Sequence, residues 1–380
     1  MSVIGPKIWI EVSRSALRHN ASELRRLIGP GVKLMAVVKS NAYGHGLAQT
    51  VECVDAQADW FGVDSLSEAL AVRRAGSKKP VLILGYTPLS QLAEAVKRGF
   101  SLTAYNPETV DRLAGIATAA RPAKLHLKIE TGTSRQGILA DDLVAMARRI
   151  SRHRHLRVEG LSTHYANVED TTDPSYAKRQ LRRFGEAVRT LAGQKIVPEI
   201  KHTACSAAAM LYPETRFDLV RAGISLYGLW PSESTRLSLA GMGRRIELRP
   251  VLSWKTVVAQ TKHLPRGTPI SYGLTERLAK DSVVAVLPVG YWDGFDRGLS
   301  SQGIVLIRGR RAKVLGRVCM NMCVVDVSGI KGVKPEDEAV LLGRQGRESV
   351  SAEEMAANIG TINYETVTRI NAMLPRLIID

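Results

Sequence analysis

The sequence predicts an α/β + β protein, with an N-terminal (β/α)8 barrel over residues 1–240 and a mostly-β domain over residues 241–380. Three observations carry this. The chain of 380 residues is longer than one ordinary hydrophobic core organises. Between residues 32 and 220, eight short apolar runs alternate with amphipathic stretches, which suits a barrel better than an open sheet of five or six strands. Beyond about Met242 that rhythm stops, and Val-, Ile- and Leu-rich runs are separated by Pro, Gly and Asp turns.

Taken in order, Lys7–Val12 alternates as a strand does. A helix follows, capped by Ser13 or Ser15 and ended near Ile28 by Gly29-Pro30-Gly31. The eight apolar runs lie near 32–38, 60–63, 81–84, 101–104, 124–129, 158–162, 199–203 and 217–220. Helical periodicity separates most of them, as in Ser67–Ala75, Leu89–Arg98 and Pro107–Ala119. Ser232–Gly243 reads as the linker, and the second domain shows little helical periodicity until Ser351–Ile359. No G-x-G-x-x-G follows a strand, which argues against a dinucleotide fold.

Composition narrows the function. A formal charge of +17 admits anionic partners, but the basic residues are spread through helices such as Leu143–Arg154 and Tyr176–Arg189. No basic tail or aromatic-studded basic stripe is present, so a solvated basic surface is expected and no nucleic-acid partner. No apolar run approaches the roughly 20 residues that span a bilayer. Met1–Glu11 lacks the apolar core and cleavage site of a signal peptide. Cys53, Cys205, Cys319 and Cys323 have no metal-ligand spacing, so reduced thiols and no metal site are expected. Together these point to a cytoplasmic protein without a membrane partner.

In barrels, chemistry gathers where strands end on the C-terminal side. The first run ends in Ala36-Val37-Val38-Lys39-Ser40-Asn41-Ala42-Tyr43-Gly44-His45-Gly46. A lysine at a buried strand tip is either half of an ion pair or a nucleophile that has lost its proton by desolvation. The fifth run ends in Lys128-Ile129-Glu130-Thr131-Gly132-Thr133-Ser134-Arg135, the sixth in His164-Tyr165, the seventh in His202-Thr203-Ala204-Cys205-Ser206 and the eighth in Arg221-Ala222-Gly223-Ile224. One rim thus collects two lysines, two histidines and two arginines. Ser206 and the Gly223-Ile224 turn are placed to bind phosphate through a hydroxyl and backbone N–H groups; Ser206 would equally serve as a plain helix cap. In the second domain, Ser271-Tyr272-Gly273 sets a tyrosine in a tight loop, and Arg317-Val318-Cys319-Met320-Asn321-Met322 leads into a strand.

These motifs, in this order over essentially the whole chain, closely resemble those of the alanine racemase family. The resemblance implies pyridoxal phosphate as cofactor and a head-to-tail homodimer whose active sites mix both subunits. It implies that Lys39 holds the cofactor covalently, that Tyr43, Ser206, Gly223, Ile224 and Tyr364 surround its phosphate, that Arg221 faces its ring nitrogen and that His164 lies beside the ring. Arg135 and the backbone of Met320 match positions at the substrate carboxylate. Tyr272 matches a second base supplied by the partner subunit. Tyr291 and Arg297 match the entrance, Lys128 matches a lysine that several members carbamylate, and His202 is expected to support the rim. Racemisation needs a proton carrier on each face of the α-carbon, and Lys39 and Tyr272 are the pair. The implied activity is interconversion of L- and D-alanine, with D-alanine destined for peptidoglycan. Glu130, Cys205 and Asn321 stand where the family usually has aspartate, asparagine and aspartate, which leaves serine, lysine or a broader amino-acid set as alternative substrates.

Overall fold

The computed structural model describes residues 5–380, so the first part of the Met1–Glu11 stretch read for a leader lies outside the described residues. One compact unit holds Leu17–Ala42 and Thr50–Arg249; the other holds the chain up to Ala16, Tyr43–Gln49 and Pro250–Asp380.

The chain opens on β1 (Ile8–Ser13) and the helix Arg14–Ile28, whose first turn is capped by the Ser13 hydroxyl accepting from the Ala16 N–H at 3.0 Å. The barrel strands follow: β2 (Lys33–Val37), β3 (Trp60–Val63), β4 (Val81–Ile83), β5 (Ser101–Ala104), β6 (Ala123–Lys128), β7 (Leu156–Ser162), β8 (Ile200–His202) and β9 (Leu219–Ala222). They form one eight-stranded parallel sheet in the order β8-β7-β6-β5-β4-β3-β2-β9. Asp218 and Arg221 N–H groups donate to the carbonyls of Lys201 and Ala204 at 3.0 Å each, closing β9 on β8. All eight expected runs are strands. Their near-continuous apolar character follows from burial on both faces, as in β3 and β4, where every residue is buried. The stretch expected as linker is itself a helix, Glu233–Gly241, because Ser232 caps it by accepting from the Thr235 N–H at 3.0 Å.

The second unit carries β10 (Leu252–Val257), β11 (Gln260–Leu264), β12 (Pro269–Ile270), β13 (Glu276–Arg277), β14 (Ser282–Leu287), β15 (Ile304–Ile307), β16 (Arg310–Leu315), β17 (Cys323–Asp326), β18 (Glu338–Gln345), β19 (Glu348–Val350) and β20 (Arg376–Ile379). Ten strands form its main sheet, in the order β11-β14-β17-β16-β15-β18-β10-β1-β20 with β19 on β18. β1 therefore lies in this sheet, antiparallel to β10 and parallel to β20. Its alternating buried and half-buried residues match a strand covered on one face. Trp254 and Phe295 meet edge to face in this unit's core, 6.0 Å between ring centres. No helix among the described residues is long and apolar enough to cross a membrane.

Candidate active site

Lys39 lies two residues past the end of β2. The next four residues, Ser40, Asn41, Ala42 and Tyr43, all have left-handed backbone, with φ of 54, 53, 55 and 53°. None is glycine, and each such residue costs roughly 1–2 kcal/mol. The turn is held by hydrogen bonds. The Ala42 N–H donates to the Val38 carbonyl at 2.9 Å. The Ser40 N–H donates to Glu68 Oε1 at 2.7 Å, and the other Glu68 oxygen accepts from the Asp64 N–H at 2.7 Å. Glu68 sits in the first turn of the helix Leu66–Arg74, capped by Ser65. Sequence reading missed Glu68, although the S-x-x-E spacing from Ser65 was a visible signal of a helix start.

Across the same barrel mouth, Arg221 is buried at 7% exposure and held on several sides. Its Nη1 lies 2.8 Å from both His202 Nδ1 and the His202 carbonyl; its Nη2 donates to the Thr163 and Thr203 carbonyls at 2.8 Å and lies 3.3 Å from His164 Nδ1. Burial, then the Arg221 cation, push both His164 and His202 well below the ordinary imidazole pKa, so both are neutral. The His164 carbonyl is fixed by Thr133 Oγ1 at 2.6 Å and by Gln180 Nε2 at 3.0 Å. Gln180, fully buried on the helix Ser175–Gly193, also donates to Thr131 Oγ1 and accepts from the Ala166 N–H.

The loop after β6 is organised by Glu130. Its carboxylate accepts from the N–H groups of Gly132 at 2.5 Å, Thr133 at 2.6 Å and Arg135 at 3.3 Å. Burial would raise its pKa, but these backbone donors lower it overall. Arg135 is exposed at the loop's end. Lys128, at the end of β6, is pushed down to about 7 by burial first, then by the cations of Arg221, Arg135 and Lys39. At the far side of the mouth, Ser206 opens the helix Ser206–Leu211 and accepts from the Gly223 N–H through Oγ at 3.1 Å; Ile224 begins the short helical turn after it. The barrel unit thus brings together Lys39, Lys128, Arg135, His164, His202, Ser206, Arg221, Gly223 and Ile224 at the C-terminal ends of its strands.

The remaining predicted residues belong to the other unit. Tyr43 and Tyr364 are ring neighbours, 6.3 Å between centres. Gly44 lets the chain pass the helix Asn363–Thr368 backbone to backbone, since a Cβ there would lie 1.9 Å from the Val367 carbonyl. Tyr272 stands 70% exposed between Ser271 and Gly273, both at positive φ. Ser271 Oγ donates to the Arg317 carbonyl at 2.5 Å and lies 3.3 Å from Cys319 Sγ, tying this loop to the next. The Tyr291 and Trp292 N–H groups donate to the Cys319 and Met320 carbonyls at 3.1 and 3.0 Å. Tyr272, Tyr291, Trp292 and Met320 therefore sit on connected loops, all exposed, with Arg297 exposed just beyond.

Two family models cover almost all of the chain: the N-terminal domain of alanine racemase over residues 12–231 and the C-terminal domain over residues 251–378. The chain belongs to the alanine racemase family. An alanine racemase of Desulforamulus reducens is 41% identical over 375 residues, covering 98% of this chain and 99% of that protein. One from Methanococcus maripaludis is 39% identical over 378 residues, 99% of each. The alanine racemase structure from Bacillus anthracis with bound L-Ala-P superposes with a TM-score of 0.93 at 33% identity, covering 100% of this chain and 96% of that one.

Against the family pattern, the three departures have distinct surroundings. Glu130 uses its carboxylate on backbone N–H groups, so its task is to shape a loop. Cys205 precedes the Ser206 helix, makes no side-chain cap bond, and has its thiol pushed up to about 11 by burial and the nearby Glu169. Asn321 is exposed next to Met320.

Proposed function

We propose that this chain racemises alanine with pyridoxal phosphate, using Lys39 and Tyr272 as opposed proton carriers. The full-length likeness to proteins named alanine racemase carries the substrate; the rim of Lys39, Arg221 and Ser206 carries the cofactor. The donor set suits that group. Lys39 offers an amine at the strand tip, and Ser206, Gly223 and Ile224 offer a hydroxyl and backbone N–H groups for a phosphate; the family resemblance alone adds the hydroxyls of Tyr43 and Tyr364. Arg221 would face the ring nitrogen and His164 the ring. When bound, pyridoxal phosphate delocalises the electron pair left as the α-carbon loses its proton.

The chain's own residues do the rest. Lys39 takes or returns a proton on one face of the α-carbon and Tyr272 on the other. Arg135 and the backbone N–H of Met320 hold the substrate carboxylate, and Lys128 and His202 support Arg135 and Arg221. Arg221 presents only donors and stays charged, so it cannot accept a proton from the ring as a carboxylate would. This biases the site toward returning the proton to the α-carbon. Tyr291 and Arg297 line the way in. The working unit is a homodimer in which Tyr272 comes from the partner subunit; support comes from the exposed loop surface of Tyr272, Leu274, Trp292, Met320 and Met322. The product, D-alanine, is destined for peptidoglycan, made in the cytoplasm.

Chiral chromatography of the cofactor-loaded protein, incubated separately with each enantiomer of alanine, serine, lysine and arginine, tests this. Alanine should convert in both directions and faster than the others. Preference for serine or lysine would overturn alanine as the substrate, and no conversion of any would overturn the racemase reading.

A further inference from the structure

Behind Arg221 and His202 the barrel holds two ionisable groups, His126 and Glu159, that the proposed reaction does not use. His202 Nε2 lies 2.8 Å from His126 Nδ1, His126 Nε2 lies 3.2 Å from Glu159 Oε2, and Ser101 Oγ donates to that same oxygen at 2.5 Å. His126 and His202 are fully buried and Glu159 is 9% exposed. The direction of every bond is forced. A guanidinium only donates, so His202 Nδ1 accepts from Arg221 Nη1 and the neutral ring carries its proton on Nε2. That proton goes to His126 Nδ1, so His126 also carries its own on Nε2 and donates it to Glu159. The result is an unbroken file of hydrogen bonds from a buried cation to a buried anion, each polarising the next.

The surroundings are shaped for this file. Gly160 lies beside Glu159, and a Cβ there would stand 2.2 Å from His126 Nδ1, so only glycine leaves room for the imidazole. The register of β6 on β7 shifts between Leu125 and His126. The Trp60 ring packs edge-on to His126, 5.5 Å between centres. Burial raises the Glu159 carboxyl, but the bonds from His126 and Ser101 hold it below the ordinary value overall, and burial keeps His126 neutral despite its carboxylate neighbour.

We infer that Glu159 is the counter-charge of Arg221, coupled to it through His126 and His202, and that this relay sets the field the arginine exerts on the cofactor ring. The inference rests on the reading that Arg221 faces the ring nitrogen. Glu159, His126 and His202 are positioning residues: they touch no reacting atom. Without Glu159 the file carries a net positive charge, which makes a protonated ring less favourable. Over roughly 15–20 Å from Glu159 to the ring, through the relay and the guanidinium, at an effective dielectric of about 20, one charge shifts such an equilibrium by about fivefold.

The test compares cofactor-loaded wild type with Glu159→Gln, which keeps shape and loses charge, Glu159→Asp, which keeps charge, and Arg221→Lys. Side-chain 15N NMR reads the histidine tautomers, absorbance at one fixed pH reads the balance of cofactor forms, and chiral and keto-acid analysis reads racemisation against transamination. Wild type should show His126 and His202 neutral and protonated on Nε2. Glu159→Gln should move the absorbance balance by about fivefold and change the partition, while Glu159→Asp stays closer to wild type. If Arg221→Lys moves the absorbance and Glu159→Gln moves neither absorbance nor partition, the relay is overturned, even if melting temperature falls. If Arg221→Lys leaves the absorbance unchanged, the ring-facing reading fails and takes the relay with it. Wild-type tautomers protonated on Nδ1 would also overturn it.

Discussion

Replacing Glu68 by glutamine should loosen the turn that carries Lys39. That turn holds four left-handed residues at roughly 1–2 kcal/mol each, about 4–8 kcal/mol in total. Glu68 opposes this with two charge-assisted hydrogen bonds of 2.7 Å, to the N–H groups of Ser40 and Asp64. Bonds of that kind contribute about 1.5–3 kcal/mol each. Glutamine retains one acceptor oxygen and turns an NH2 toward the other N–H, so about 2–3 kcal/mol is lost. The turn should then open about 30- to 150-fold more often. Because Lys39 is the residue immediately before the turn, affinity for pyridoxal phosphate should fall in step with the fraction of molecules whose turn is open, by at most that factor. The assay is an absorbance titration of cofactor-free protein with pyridoxal phosphate, with circular dichroism to verify folding. Adding Ser40→Gly, which removes one left-handed penalty at an exposed position, should recover part of the loss, up to about fivefold. Wild-type affinity in Glu68→Gln would show that the turn is held by other contacts and refute the reasoning.

Other outcomes follow from the same geometry. Ser40→Gly alone should leave the protein as stable or raise stability by up to about 1 kcal/mol, since relief of the left-handed backbone outweighs the added chain entropy; a drop in melting temperature would contradict this. Lys128, held at about 7 when folded and near 10.5 when unfolded, binds more protons unfolded between those values, so wild-type stability should rise from pH 7 to 10 through this group. Lys128→Met should lose that rise in thermal melts. The neutral Lys128 amine should also take up CO2, giving a 13C carbamate signal with labelled bicarbonate that Lys128→Met lacks. Tyr272→Phe should keep the cofactor spectrum and lose turnover mainly from one enantiomer, by chiral chromatography of each; full racemisation in both directions would sink its role as the second base.

Much of the site was legible because it lies at strand ends, where a change from apolar to polar residues marks the C-terminal rim. Lys39, His164, His202 and Arg221 each follow or end a run that sequence alone places as a strand. The supporting carboxylates were not legible. Glu68 looks like an ordinary first-turn glutamate on a helix, and only the packing of that helix shows that it reaches back to Ser40. His126 and Glu159 interrupt buried strands, which is a signal of burial with a partner, but the partners are 33 and 76 residues away from His126. Glu130 read as a departure in a motif, and its backbone bonds gave it a function in the loop.

By itself the sequence determined the eight-strand alternation, the change to a β-rich second part and the identities at the rim, because periodicity and turn chemistry are local. Tertiary structure decided where β1 goes. Its alternating pattern specifies a strand with one covered face, but not whose edge it joins, and it pairs with β10 and β20, 240 residues on or more. Tertiary structure also decided the left-handed backbone after Lys39 and the file from Arg221 to Glu159. Both depend on hydrogen-bond partners from other elements, whose directions in space no local pattern encodes.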